Sequence, residues 1–281
     1  MKLPFATELP TSLRAIGRAL VPKRFRPALA AQLQHLAHRQ ERRHPQFRHS
    51  LERLEAMRES HRGETCVILG NGPSLADVDL GQFDGLTTFC LNRGYLKWNE
   101  DGMTPTYAVA VNDLVIEQFH DELAALACPV FVPWQYHHLF DGHDNVIFIE
   151  ARWQERFFKD IRKGVWPGAT VTFAAMQIAY FMGFTNVILV GVDHRFAQAG
   201  PAHLEVVQDK HDVDHFAKDY FGPGVRWNLP DLEQSELSYR LARDVYEAEA
   251  RRIVDATKDG ALTVFPKMPL DAALAEARRS A

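Results

Sequence analysis

From residue 64 onward, short runs of Val, Ile, Leu and Phe alternate with longer amphipathic stretches. The runs at 65–69, 87–91, 106–111, 130–132, 146–149, 187–190 and 262–265 have strand length, and the stretches 114–126, 170–182 and 232–256 are long enough for helices. Strands that are apolar on both faces and separated by helices predict an α/β fold: a Rossmann-like, doubly wound, mostly parallel sheet. Ligands bind such sheets beyond the carboxyl ends of the strands. That rule selects Asn71, Asn92, Asn112-Asp113 and Asp193-His194, each at a strand end.

Residues 1–60 follow a different period. Leu13, Ile16, Leu20, Leu33, Leu36, Leu51, Leu54 and Met57 recur at three-to-four spacing among Arg and His, and Pro22 and Pro27 break the pattern. The division expected is a helical arm, 1–60, ahead of a nucleotide-binding domain, 61–281. Charge sharpens it: the arm carries 12 Lys+Arg against 5 Asp+Glu, and the remainder 20 against 31. An acidic body argues against nucleic acid as a partner. The basic arm fits peripheral contact with the anionic inner face of the cytoplasmic membrane or with a partner, and equally a helical cap with a solvated Arg face. Oligomer formation stays open.

Cys66, Cys90 and Cys128 lie in or beside apolar runs without CxxC spacing, which reads as reduced thiols in a cytoplasmic protein. No apolar stretch approaches the roughly 20 residues of a membrane span, and no signal-peptide pattern opens the chain.

The first strand ends in Gly70-Asn71-Gly72-Pro73-Ser74-Leu75. Glycines allow a sharp turn and close approach of a ligand, and a helix starting at Pro73-Ser74 would aim N–H groups at a phosphate. A plain strand-to-helix turn with a capping box, Ser74-x-x-Asp77, fits the same residues. Two nucleotide motifs are excluded. The dinucleotide fingerprint lacks its third small residue, at Leu75, and its acid after the second strand, where Asn92 stands; a P-loop lacks its Gly-Lys pair.

Taken with Leu-Asn-Arg at 91–93, Pro-Thr-Tyr at 105–107, Gly-Phe at 183–184, Gly-Val-Asp-His at 191–194 and His-Phe-x-x-Asp-Tyr-Phe-Gly at 215–222, this loop resembles the bacterial branch of the hydroxymethylpterin diphosphokinase-like (MptE-like) family. That family is distantly similar to the sialyltransferases of glycosyltransferase family 42 and to flagellin-glycosylation accessory factors. The resemblance covers roughly 61–267 and implies a Rossmann-like fold that binds a CMP-sugar and transfers the sugar with inversion. By the same resemblance, Asn71 and Ser74 meet donor phosphate and ribose, Asn92 and Asn112 match asparagines after the second and third strands, Thr170 or Thr172 falls near a Ser of a Ser-Gly motif, and Asp193 matches an Asp after a later strand. Two positions depart from the sialyltransferases. No tyrosine follows Asp193 before Tyr220, and the offset of their catalytic histidine, counted from His215, lands on Asp219.

Inverting transfer needs a base for the acceptor hydroxyl and groups that stabilise the departing phosphate. Residues 193–228 read as one long loop holding candidates for both: His215, Asp219 and Asp193 for catalysis, and Arg195, Lys210, Tyr220 and Arg226 for phosphate. His215 sits among Phe216, Tyr220 and Phe221, and imidazole exchanges protons near neutral pH. Gly70, Asn71, Gly72, Pro73, Ser74, Asn92, Asn112, Asp113, Thr170, Thr172 and His194 complete the nucleotide-binding set. Each strand-end Asn also fits a simple turn former, and the Trp166–Thr170 turn a simple helix entry.

The leading expectation is a nucleotide-sugar-dependent inverting glycosyltransferase, with a CMP-sugar donor, a glycan or glycolipid acceptor and no tightly bound cofactor, in surface polysaccharide or glycoconjugate synthesis. The alternative is an ATP-dependent hydroxymethylpterin diphosphokinase, which would need Mg²⁺ at Asp113 and Asp193. A non-catalytic nucleotide-binding assembly protein is the third.

Overall fold

The computed structural model describes residues 41–198, 200–209 and 211–280. The chain divides into two compact units, Met1–His49 and Ser50–Ala281, and, apart from residues 45–49, the features below belong to the second. Most of the expected arm, and Lys210, lie outside the described residues.

Seven strands form one parallel sheet: β1 (Thr65–Leu69), β2 (Thr87–Leu91), β3 (Tyr107–Val109), β4 (Val130–Pro133), β5 (Val146–Ile149), β6 (Asn186–Val190) and β9 (Arg252–Asp255), in the order β5-β4-β3-β2-β1-β6-β9. The α/β, Rossmann-like class expected from the apolar runs is therefore the one found. The chain winds outward from β1 to β5 and returns to β6 on the other side of β1. The strand order reverses between β1 and β6, the position where open α/β sheets hold ligands.

The helices are α1 (Pro45–Met57), α2 (Tyr95–Glu100), α3 (Asp113–Ala124), α4 (Val171–Met182), α5 (Leu232–Glu247) and α6 (Leu270–Ser280). Leu54 of α1 is buried in the main core, with Leu51 and Met57 packed against it, so this part of the expected arm covers apolar surface. Helix α4 is apolar all round, and every residue from Thr172 to Met182 is buried. Its Gln177 survives burial by using both ends of its amide. Oε1 accepts from Phe158 N (3.0 Å) and Trp166 N (3.4 Å), and Nε2 donates to Trp166 O (2.7 Å) and Phe173 O (3.2 Å). This pins the turn that leads into α4.

Three expectations need correction. The helix expected over 232–256 stops at Glu247, and the last strand is Arg252–Asp255 rather than 262–265. Ala250 takes a left-handed conformation (φ 55°) and Arg251 N donates to Tyr246 O (2.9 Å), closing the helix as a Schellman-type end without the glycine that usually announces one. Leu262 and Phe265 are buried, but as irregular chain. The helix expected at Pro73-Ser74 is a single 3₁₀ turn, Pro73–Leu75, with Gly72 as its cap, so neither a capping box nor a long helix dipole is built there. Lastly, the long loop after β6 holds an antiparallel hairpin, β7 (Glu205–Val207) with β8 (Arg226–Asn228). No helix among the described residues is long and apolar enough to cross a membrane.

Candidate functional site

The ends of β1 and β6 are stitched together at the switch point. Gly70 N donates to Val190 O (2.7 Å) and Gly72 N to Gly191 O (2.9 Å). A Cβ on Gly70 would overlap the Gly191 carbonyl, and one on Gly72 would overlap the Asp193 carboxylate. Asp193 in turn accepts from Ser74 N at Oδ1 (3.2 Å) and from Ser74 Oγ at Oδ2 (2.7 Å). The space left by Gly72 thus admits Asp193, where the sequence suggested that it admits a ligand. Both Asp193 oxygens brace the β1 loop.

A prediction follows from this fit. Gly72→Ala should cost about 1–3 kcal/mol in chemical denaturation, the usual cost of overpacking. In an Asp193→Ala background the same change should cost less, with a coupling of about 1 kcal/mol or more. Strictly additive losses would show that the two residues do not share the space.

Across β1, β2 and β3 the carboxyl edge carries buried acceptors without hydrogen-bond partners: Asn71 Oδ1, Asn92 Oδ1 and Asp113 Oδ1. The orientation of Asn71 is fixed, because its Nδ2 donates to Leu91 O (3.0 Å). Gly94 lies against it, where a Cβ would stand 2.9 Å from Asn71 Oδ1, so the β1 loop and the Asn92–Gly94 turn meet. Asn112 caps α3 by accepting from Val115 N (3.1 Å). Asp113 is raised to about 6, first by burial and further by Glu117, with the Tyr136 hydroxyl opposing the shift.

The sign of that shift sets a pH dependence. Below pH 4 the carboxyl is neutral folded or unfolded. Between about pH 4 and 6 the unfolded chain ionises first, so the folded state loses about 3 kcal/mol across the window. Asp113→Asn should therefore stabilise the protein at pH 7.5 by more than at pH 4.5 in urea titrations. An equal effect at both pH values would contradict the assignment.

The loop after β6 is organised around His215. Its Nδ1 lies 2.8 Å from Asp212 Oδ2, and its ring stacks on Tyr220 (centroids 4.1 Å, planes 4° apart) with Phe221 and Trp227 edge-on. Asp212 is itself buried and already accepts from Asp214 N (2.9 Å) and Phe221 N (3.2 Å). Acting as acceptor toward His215 as well, it places the proton on Nδ1 and leaves Nε2 basic. Tyr220, Phe221, Trp227, Leu229 and Val115 form a small core of their own, which fixes this arrangement.

Two ties hold the His215 segment to the strand ends. Phe216 N donates to Asn71 O (3.0 Å). Arg93, buried after β2, donates to Asp219 O (3.3 Å) and Tyr220 O, and its own N–H bonds the Tyr220 hydroxyl (3.3 Å). These bonds tie the His215 segment to the loops that carry Asn71 and Asn92.

Other candidates fall elsewhere. The Asp219 carboxylate is 83% exposed, 3.8 Å from an equally exposed His211. Tyr220 is buried with its hydroxyl engaged, and burial pushes that hydroxyl well above the usual phenol range, so it is a packing residue in place of the expected phosphate donor. Arg226 pairs with Glu117 (3.4 Å) and Glu205 (3.3 Å), and Arg195 donates to Asp259 O. Helix α5 gathers a separate group. Thr170 Oγ1 meets Tyr239 Oη (3.2 Å), Thr172 is buried in α4, and His194 Nε2 lies 3.4 Å from Glu236. Among the described residues no group of three or more His, Cys, Asp or Glu is arranged to hold a metal.

A family model described as 6-hydroxymethylpterin diphosphokinase MptE-like matches residues 38–199. The match ends before Asp212 and His215. No curated protein sequence matches the chain. Among solved structures, the MAf glycosyltransferase from Magnetospirillum magneticum AMB-1 is similar over 83% of this chain, at 14% identity and a TM-score of 0.49. The chain spans 41% of that protein's length.

Proposed function

We propose that this chain, which belongs to the 6-hydroxymethylpterin diphosphokinase MptE-like family, is a transferase acting on a nucleotide-activated sugar, with a CMP-sugar as donor and a glycan or glycolipid hydroxyl as acceptor. The observation that carries the reading is the Asp212–His215 pair, held beside the Gly-Asn-Gly loop by the Phe216–Asn71 bond. His215 Nε2 takes the acceptor hydroxyl's proton as that oxygen bonds to the anomeric carbon. The bond from that carbon to the donor phosphate breaks, and the nucleotide leaves carrying the electron pair. Attack opposite the leaving group inverts the anomeric centre. Asp212 keeps the imidazole in the tautomer this requires. The leaving phosphate is assigned to Arg195, whose guanidinium also donates to Asp259 O.

The diphosphokinase alternative calls on Asp113 and Asp193 to hold Mg²⁺. Asp193 is committed to Ser74 through both oxygens, so this pair is less suited to a cation than the dyad is to proton transfer.

The test is turnover. The purified full chain is incubated with CMP-sugar and UDP-sugar donors and with Mg²⁺-ATP plus hydroxymethylpterin. Release of CMP that rises with a glycan acceptor supports the reading. Formation of AMP and a pterin diphosphate overturns it.

A further inference from the structure

We infer that Asp113, whose buried Oδ1 has no partner, is the acceptor for a vicinal diol of the bound ligand, either the ribose of the nucleotide or the ring of the transferred sugar. This rests on the nucleotide-sugar reading and names the chemistry of one part of that site. In common dinucleotide folds a carboxylate at the end of the second strand takes the ribose hydroxyls. Here that position is Asn92, and the carboxylate stands one strand further on, after β3.

The surroundings of Asp113 suit that task. Oδ1 is buried and has no hydrogen-bond partner, which is costly unless something donates to it. The Tyr136 hydroxyl, on the 3₁₀ turn Trp134–Leu139 that follows β4, acts on the same carboxylate and favours its ionised form. Because β3 and β4 are paired neighbours, Tyr136 comes from the adjacent strand end. Asn92 Oδ1 and Asn71 Oδ1 continue the line of unpartnered acceptors along β2 and β1. Three adjacent strand ends span roughly 10 Å at the usual strand spacing. A phosphate presents only acceptors and would meet like with like along this edge. Hydroxyl pairs present donors, and a carboxylate can accept two of them at once.

The experiment is isothermal titration of the full chain with CMP, 2′,3′-dideoxy-CMP, UMP and a CMP-sugar, for wild type and Asp113→Ala. Removing a buried carboxylate relieves a burial cost, so the variant is expected to fold, and circular dichroism checks it. A hydrogen bond to a charged group corresponds to a loss of about 10- to 100-fold in affinity. If the diol is the ribose, wild type favours CMP over its dideoxy analogue by that factor and Asp113→Ala erases the preference. If the diol belongs to the transferred sugar, Asp113→Ala weakens the CMP-sugar alone. Tyr136→Phe should produce a smaller loss of the same kind. A variant that keeps the dideoxy discrimination and the CMP-sugar affinity overturns the proposal, as does one that loses only the preference for CMP over UMP. Loss of discrimination in a protein that turns over no donor would leave this subsite standing and remove the transfer reading. If wild type binds none of these probes, both fall.

Discussion

His215→Ala should lower sugar transfer by about 10²- to 10⁴-fold, the range for removing a general base, while CMP affinity and the unfolding midpoint change little. The ring lies within an aromatic cluster that holds without it: Tyr220, Phe221 and Trp227 still pack on one another, and Asp212 still accepts from two backbone N–H groups. Asp212→Asn should give a smaller loss of the same kind, because an amide can hold the ring in the wrong tautomer. Asp219→Ala should leave the rate near that of wild type, since its carboxylate faces solvent. A full loss from Asp219→Ala with normal activity in His215→Ala would reverse these roles. Initial rates of CMP release with and without acceptor distinguish the two outcomes.

Arg93→Ala should cost about 2–4 kcal/mol in chemical denaturation, the largest stability loss expected of any single charged residue in the domain. Its guanidinium sits over the Phe119 ring (3.7 Å), donates to Tyr95 Oη (3.3 Å) and to the carbonyls of Asp219 and Tyr220, and lies 3.7 Å from Glu122. Glu122 is half exposed and regains water when the pair is broken, so that ion pair adds little. The cost comes from two carbonyls left without a donor and from lost packing of the Arg stem. Arg93→Lys should recover only part of it, because an ammonium cannot reach all these acceptors in one plane. The segment carrying His215 rests on these bonds, so transfer should fall in step with stability across the two variants. A midpoint shift for Arg93→Ala no larger than that of a surface substitution would refute this account of the residue.

Much of the sheet was legible because parallel strands buried on both faces leave unbroken apolar runs. The expected runs 65–69, 87–91 and 146–149 coincide with β1, β2 and β5. The last strand was misplaced because Ala250 ends α5 in a left-handed turn without glycine, so an amphipathic period ran on into Ile253 and Val254. The Gly-Asn-Gly-Pro-Ser loop was found, but what it packs against was not. Its partner at Gly72 is Asp193, more than a hundred residues away, and sequence spacing carries no trace of such a contact. Within the site, His215 was visible by its aromatic company. Its partner Asp212 stands at Asp-x-x-His spacing, a signal that does not stand out among the other acids of the loop. Tyr136 had no local signal, because its neighbour Asp113 comes from a different strand end. Arg93 stood inside the Leu-Asn-Arg motif, yet its work is done on Asp219 and Tyr220.

Thermal unfolding of the full chain in the presence of CMP, UDP, ADP and ATP, each with and without Mg²⁺, tests the central claim most directly. A ligand at about 100 times its Kd stabilises the folded state by roughly 2.7 kcal/mol, a shift that is easily resolved. The nucleotide-sugar account predicts stabilisation by CMP that is indifferent to Mg²⁺. Stabilisation by ATP alone, and only with Mg²⁺ present, would contradict it.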